Sequence, residues 1–508
     1  MKRILLSLFV GVGLLTSCDM DKAPYGSLDD SSALQSVNDY AGFRNGIYSN
    51  IRSFATGGYI YYSDIQSDQF LGLTIAGNRN GEFNNGLVTA SSQAIGDVFE
   101  SMYTRISNTN YFLNKAEAAI AIPDYFTGDE MVLMQRYIAE AKFARAYYYF
   151  WMMERFCQQY TPDKADTPAL GLQLVTEFNP NGNSANYPGR STMAETIKLI
   201  KDDLTEARTG LAQYEQIDNK GIKPMAPYIN TYVVDALEAR IALYLGDYAT
   251  AISKAESVIN SQVYTLANVD NYIDMWTNDE STELIFVPFV DSSESGGIDN
   301  TSYGYISYQD EKSADYIPTI DVLASYEDGD VRLGSFFTVW DLNFDGDSQP
   351  AYVFFKYPGN SALINGVDYR KNKPKPFRLS EQYLILAEAA AATGATDKAN
   401  SALNTLRRNR IEGWEDVSYT GSALTQQIRN ERAKELIGEG FRLNDLRRWG
   451  VAFQRNGEYP ANTDIEQFIV SSSLSCKYTA DDTRYTWPIP TDEMEINPQL
   501  AGQQNPGY

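Results

Sequence analysis

Glu431, Glu435 and Glu439 recur every four residues, a spacing that stacks three carboxylates on one helix face, about one turn apart. Two carboxylates at such a distance are the equipment of a glycosidase, one as general acid and one as nucleophile. A general acid needs a raised pKa, and Arg432, Arg442, Arg447 and Arg448 crowd the same stretch and favour the ionised form. The spacing therefore reads first as a structural ion network joining helices. A carboxylate-based surface glycoside hydrolase is the alternative from the enzyme class. The chain has no histidine at all, which removes imidazole bases, histidine triads and the commonest ligand for zinc, iron or copper.

Tyrosine is the abundant functional residue, 36 among 508. Tyr147, Tyr148, Tyr149 and Phe150 are consecutive and face every side of a helix, so they read as core packing. Other aromatics lie in two long, turn-rich segments beside hydrogen-bonding side chains. Residues 54–95 carry Tyr61, Tyr62, Asp64, Asp68, Asn78, Arg79, Asn80 and Phe83; residues 284–378 carry Tyr303, Tyr305 and Tyr308. Flat C–H faces and a rim of hydroxyls, as sugars present, need this mixture of aromatic platforms and polar partners. A further cluster, Asp341, Asn343, Asp345 and Asp347 around Gly346, matches the first half of a calcium-loop pattern. Tyr352 stands where an EF-hand needs a bidentate glutamate, so the alternatives are a Ca²⁺ site of another kind and an acidic turn. No other cofactor is required.

The elements that must position these residues are mainly helical. Val37, Tyr40, Ala41, Ile47, Tyr48 and Ile51 share one face, and Phe99, Tyr103, Ile106, Asn110 and Leu113 another. Helical stretches are expected over about 131–158, 191–213, 231–260, 379–409 and 423–449. Gly246 and Gly394 are each preceded by alanines at seven and four residues (Ala239, Ala242; Ala387, Ala390) and followed by one at five (Ala251; Ala399). This looks like the tetratricopeptide pattern, a helix hairpin that stacks on its neighbours and turns at the glycine. The fold class expected is mainly α: a tetratricopeptide-like helical-hairpin scaffold with large loop-rich excursions and a few short strands, such as 284–287 and 353–355.

Lys2 and Arg3, the apolar run Ile4 to Leu15 and then Thr16, Ser17 and Cys18 resemble a bacterial lipoprotein signal. The resemblance implies a signal peptide over 1–17, a mature domain over 18–508 and acyl chains on Cys18. Asp19 and Asp21 resemble the surface-export signals of Bacteroidota lipoproteins. Cys157 and Cys476 read as buried free thiols, with a disulfide as the alternative. The formal charge of −24 argues against nucleic acid as a partner.

The C-terminal stretch Glu431-Arg432, Glu435-Leu436, Glu439-Gly440, Arg442, Asp445-Leu446, Arg448 and Gly450 resembles the signature of the SusD/RagB family of outer-membrane lipoproteins. Glu140 to Phe150, Glu283 to Phe286, Phe377 to Ala389, Trp487 to Pro490 and Asn505 to Tyr508 agree with the family in order. Phe99 departs from it, standing where a tryptophan is usual. The resemblance implies a non-enzymatic protein, anchored by lipid in the outer membrane and facing the exterior. It implies that the protein captures oligosaccharide and passes it to a SusC-like TonB-dependent transporter. Ligand-facing loops are implied at about 54–95 and 284–378, where Tyr61, Asp64, Asp68, Asn78, Arg79, Phe83, Tyr303, Tyr305 and Tyr308 are the candidate contacts. A peptide-binding protein of the RagB type is the alternative within the family, and a helical scaffold without a small ligand a third reading.

Overall fold

In the computed structural model, residues 33–74, 77–180, 182–217, 221–293, 298–299, 306–308, 311–344, 346–363, 371–456 and 464–508 are described, the backbone alone at 298–299, 306–308 and 311–312. The signal, Cys18, Tyr303, Tyr305 and Asp345 lie outside the described residues, as does the side chain of Tyr308. Among the described residues no helix is long and apolar enough to cross a membrane.

Helices dominate, and their ends fall where local chemistry puts them. The first, Val37–Phe54, opens on a capping box between Ser36 and Asp39. Long helices Gln93–Ile120, Asp129–Phe156 and Met193–Ile217 follow. The stretch expected over 231–260 is two helices, Thr231–Leu245 and Tyr248–Ile259, because Gly246 takes a left-handed φ of 73°. Leu379–Ala392 and Thr396–Arg408 repeat the device around Gly394 at φ 78°. The six marker alanines are all buried in one cluster shared by the two hairpins. A small residue at each of those positions lets the helix axes approach, so the repeat predicted from glycine and alanine spacing is the packing interface itself.

The tyrosine run is interior. Tyr148 and Tyr149 are fully buried, and Phe54 meets Tyr147, Tyr148 and Trp151 edge-on at centroid distances of 4.9, 5.5 and 5.6 Å. Tyr149 donates its hydroxyl proton to the Val175 carbonyl at 2.9 Å, which satisfies the one polar atom its burial would otherwise strand. Cys157 and Cys476 are buried and free.

Two expectations are corrected. Residues 54–95 are more ordered than their glycine and asparagine content suggests: they form helix Gly58–Gln66, strand Phe70–Gly72 and the short helix Gly81–Asn84. The stretch 423–449 is not one helix. Gly421–Glu435 and Arg442–Trp449 are separated by a turn in which Gly438 and Gly440 take φ of 76° and 82°. Glu439 therefore lies on that turn and not on the helix face of Glu431 and Glu435.

The three carboxylates still form one buried ion network, but with arginines from elsewhere in the chain. Glu435 accepts from Arg378 at 2.8 Å, Arg410 at 3.0 Å and Arg332 at 3.1 Å. Glu431 pairs with Arg332 at 2.7 Å and Arg407 at 2.6 Å, and Glu439 with Arg378 and Lys356, each at 2.6 Å. Glu283 accepts from both Arg378 and Arg410, at 2.9 and 2.8 Å. The neighbours in sequence are engaged otherwise: Arg432 and Arg448 hold Asp445, Arg442 holds Asp68, and Arg447 donates to the carbonyls of Cys157 and Glu154.

Burial alone would raise these carboxyl pKa values. For Glu431 the surrounding Arg332, Lys434 and Arg407 outweigh it and hold the group at about 2, and Glu435 and Glu439 are likewise depressed by their arginines. Each of the three ionises at lower pH in the folded than in the unfolded chain. Their stabilisation is therefore complete above about pH 5 and is lost as the pH falls towards 2. Glu435→Gln is expected to lower stability at pH 7 by about 3–5 kcal/mol, because it leaves guanidinium groups buried without their counter-charge. Denaturant unfolding should show a smaller effect of the same substitution at pH 3; an equal or larger one would reject this account.

Candidate ligand-binding site

The two segments singled out by their aromatics are neighbours in space. Strand Phe70–Gly72 pairs antiparallel with Tyr316–Pro318, with Leu71 opposite Ile317. This pairing brings the turn 77–80 against Asp315 and Tyr316. Asn78 and Asn80 adopt left-handed φ of 57° and 53°, a conformation that asparagine tolerates better than most side chains, so the asparagines shape the turn. Asn80 donates to the Tyr61 hydroxyl at 3.1 Å. The Tyr316 hydroxyl donates to the Arg79 carbonyl. The Arg79 side chain is 54% exposed, with its guanidinium 3.3 Å from Asp315. Burial pushes the Asp315 carboxyl up to about 6, and Arg79 counters that rise. Upstream, backbone strands Ile306–Tyr308 and Glu311–Ser313 form a hairpin that places Tyr308 opposite Glu311 and leads into this contact.

Tyr61 also lines a pocket of about 80 Å³. Its walls include the rings of Tyr61, Tyr147, Tyr357 and Phe441, with Arg240 and Lys373 among the polar groups. Arg240 is fixed by paired hydrogen bonds to Glu381, both 2.7 Å, and by one to the Pro376 carbonyl at 2.7 Å. Tyr357 donates to the Gly438 carbonyl at 2.9 Å. Lys375 is anchored on Asp279 at 2.6 Å and holds the segment that carries Lys373. The Lys373 ammonium makes no hydrogen bond or ion pair among the described residues, which leaves three donors for a ligand. Rings for C–H faces and a cationic donor at the wall suit a polyhydroxylated ligand. Tyr61 was legible from sequence. Tyr357, Lys373 and Phe441 were not read as site residues, because only the tertiary fold brings them to Tyr61.

Three candidate contacts are corrected to structural roles. Asp64 is fully buried and accepts the Gly440 N–H at 2.9 Å. Asp68 forms a two-pronged pair with Arg442 at 2.8 and 2.7 Å. Phe83 is fully buried, stacked on Tyr62 at 4.1 Å and edge-on to Trp487 at 5.7 Å. The two acids thus bolt helix Gly58–Gln66 and the turn after it to the C-terminal signature.

The cluster considered for calcium is part of a β-hairpin. Phe337–Phe344 pairs with Asp347–Phe354, so alternate residues Asp341 and Asn343 point to the solvent side while Leu342 and Phe344 are buried. Asn343 accepts the Gly346 N–H at 2.8 Å, and Asp347 accepts from Gln349 at 2.8 Å. Strand alternation accounts for the spacing as a polar hairpin face. Among the described residues, no three acidic or cysteine side chains converge as metal ligands.

Substituting Asp64→Asn or Asp68→Ala is expected to cost about 1–3 kcal/mol of stability by removing charge-assisted hydrogen bonds. Denaturant unfolding beside ligand titration checks this. Weakened binding with unchanged stability would restore these acids as ligand contacts.

Comparison with known proteins agrees with this architecture. A SusD family model matches residues 341–508, and a second model, described as starch-binding associating with outer membrane, matches residues 36–221. A SusD-like protein P25 from Formosa agariphila is 21% identical over 489 residues, spanning 83% of this chain and 81% of the relative. The crystal structure of a SusD superfamily protein from Bacteroides thetaiotaomicron VPI-5482 superposes with a TM-score of 0.74 at 26% identity, covering 93% of this chain and 100% of that one. A SusD-like carbohydrate binding protein from Bacteroides vulgatus ATCC 8482 shares the fold, with a TM-score of 0.72 at 17% identity over 92% of this chain and 98% of its own. In its helical-hairpin scaffold, its C-terminal signature and these matches at both ends, the chain is similar to proteins of the SusD family.

Proposed function

We propose that this protein is a cell-surface lipoprotein that captures oligosaccharides and delivers them to a SusC-like TonB-dependent transporter in the outer membrane. The observation that carries this reading is the Tyr61 pocket, where aromatic rings face a lysine ammonium that has no partner among the described residues. Similarity to this family supports the ligand class, since the matching family model is described as starch-binding and a similar structure as a sugar binding protein. In this reading a sugar ring packs against the tyrosines while Lys373 and the Arg79 turn take its hydroxyls. Tyr303, Tyr305 and Tyr308, in the adjoining segment, supply further platforms. The protein performs no chemistry on the bound glycan. Glu431, Glu435 and Glu439 support this, because their ionised state leaves them no proton to donate as a general acid.

Replacing Tyr61, or Tyr303 together with Tyr305, by alanine should weaken binding of the best ligand from a glycan array about tenfold, the loss of one or two stacking contacts. The Tyr303 and Tyr305 variant should melt within a degree or two of the parent. Unchanged affinity in both variants would remove the site. A peptide array run in parallel distinguishes a RagB-type ligand, and steady release of shortened product from labelled glycans would turn the reading towards a hydrolase.

Anchoring is tested separately. Cys18→Ala should abolish incorporation of labelled fatty acid and move the protein out of the membrane fraction; persistence of both would refute lipidation at this residue.

A further inference from the structure

A second cavity, of about 460 Å³, shares no lining residue with the Tyr61 pocket. It opens where the helical hairpins meet the C-terminal helices: beside Gly246, the last turn of Leu379–Ala392, the middle of Gly421–Glu435 and the end of Arg442–Trp449, with residues 159–162 as its remaining wall.

Its charged groups divide into engaged and unengaged. Arg448 makes a two-pronged pair with Glu388 and donates to Asp445 at 2.9 Å; Trp449 donates its indole N–H to Glu388 at 2.7 Å. Despite burial, these partners hold the Glu388 carboxyl below the usual range, so it is ionised and saturated. Arg429 is different. Its guanidinium lies over the Trp449 ring at 4.9 Å and has no hydrogen bond or ion pair among the described residues. Burial lowers its pKa and Arg448 adds to this, while Glu388 and Asp445 act at a distance in the opposite sense without pairing with it. Across the cavity, Gln159 Oε1 and Thr161 Oγ1 are buried without hydrogen-bond partners. Buried polar oxygens are ordinarily paired, so both lack a donor. The Tyr160 and Tyr248 rings complete the wall.

A complementary molecule must present acceptor oxygens and negative charge to a planar guanidinium, a hydroxyl to Gln159 and Thr161, and a compact body to the rings. We propose that this cavity is a separate binding site for a small hydroxylated carboxylate, the class to which uronic acids belong, with Arg429 clamping the carboxylate. A neutral sugar would leave Arg429 unpaired, and a bare anion would leave the two oxygens unmet.

Isothermal titration of the whole lipid-free protein with D-galacturonate, D-galactose and acetate tests this. Galacturonate should bind at least tenfold more tightly than either control and change Trp449 fluorescence. Arg429→Gln should weaken it about tenfold, and Thr161→Val less. Arg429 is partly exposed and outside the ion network, so the variant should keep the parent's melting temperature; a melting shift would itself overturn the claim that it is unengaged. Equal binding of galacturonate and acetate would mean an adventitious anion only and overturn the proposal. So would equal binding of galactose, absence of galacturonate binding, or galacturonate binding that survives Arg429→Gln.

Discussion

The side chains of Glu431 and Glu435 are wholly excluded from water, as are those of Arg332 and Arg410. Moving such charges out of water costs several kcal/mol per ion, and only close geometry with further hydrogen bonds offsets it. Here the geometry is close because each guanidinium bridges carboxylates from different elements: Arg378 reaches Glu283, Glu435 and Glu439, and Arg410 reaches Glu283 and Glu435. Lys356 completes the set by donating to the carbonyls of Glu435 and Ile437 at 3.1 and 2.9 Å. Such a network specifies one arrangement of helices: any slip would leave a charge buried without its partner.

That specificity extends outward to the proposed ligand site. Glu439 and Lys356 fix the turn 438–441. Gly440, at φ 82°, brings its backbone against Ile60, where a Cβ would come within 3.4 Å of the Ile60 backbone. The same glycine offers its N–H to Asp64 and its carbonyl to Arg155. Helix Gly58–Gln66 is thereby seated, and with it Tyr61 at the pocket wall. The sequence conserves no record of this path in its spacing, because the links run between residues some 370 positions apart, such as Asp64 and Gly440.

Local periodicity made the scaffold legible. Glycine and alanine spacing located both hairpins, and the tyrosine run was read as core because consecutive rings cannot share one face. The ion network was expected from three glutamates, but its true partners were not, since Arg332, Arg378, Arg407 and Arg410 meet them only after the chain has folded back. The site was less legible. Asp64, Asp68 and Phe83 share a composition with the ligand loops, yet composition does not tell a buried anchor from an exposed contact. Alternation in 341–347 left a metal loop and a polar strand face as alternatives because a β-strand and such a loop both direct every second side chain the same way.

The short ladder between Phe70–Gly72 and Tyr316–Pro318 also bears on how the molecule is made. It closes a loop of roughly 245 residues, whose chain entropy must be overcome before the contact returns any energy. The helical hairpins, built from near neighbours, can form first and without it. Assembly of the ligand face then waits on the arrival of the distant segment, so a chain interrupted between the two strands would retain helical content and lack a binding surface. Binding at the proposed site and secondary structure should therefore emerge at separate times during refolding, with binding the slower.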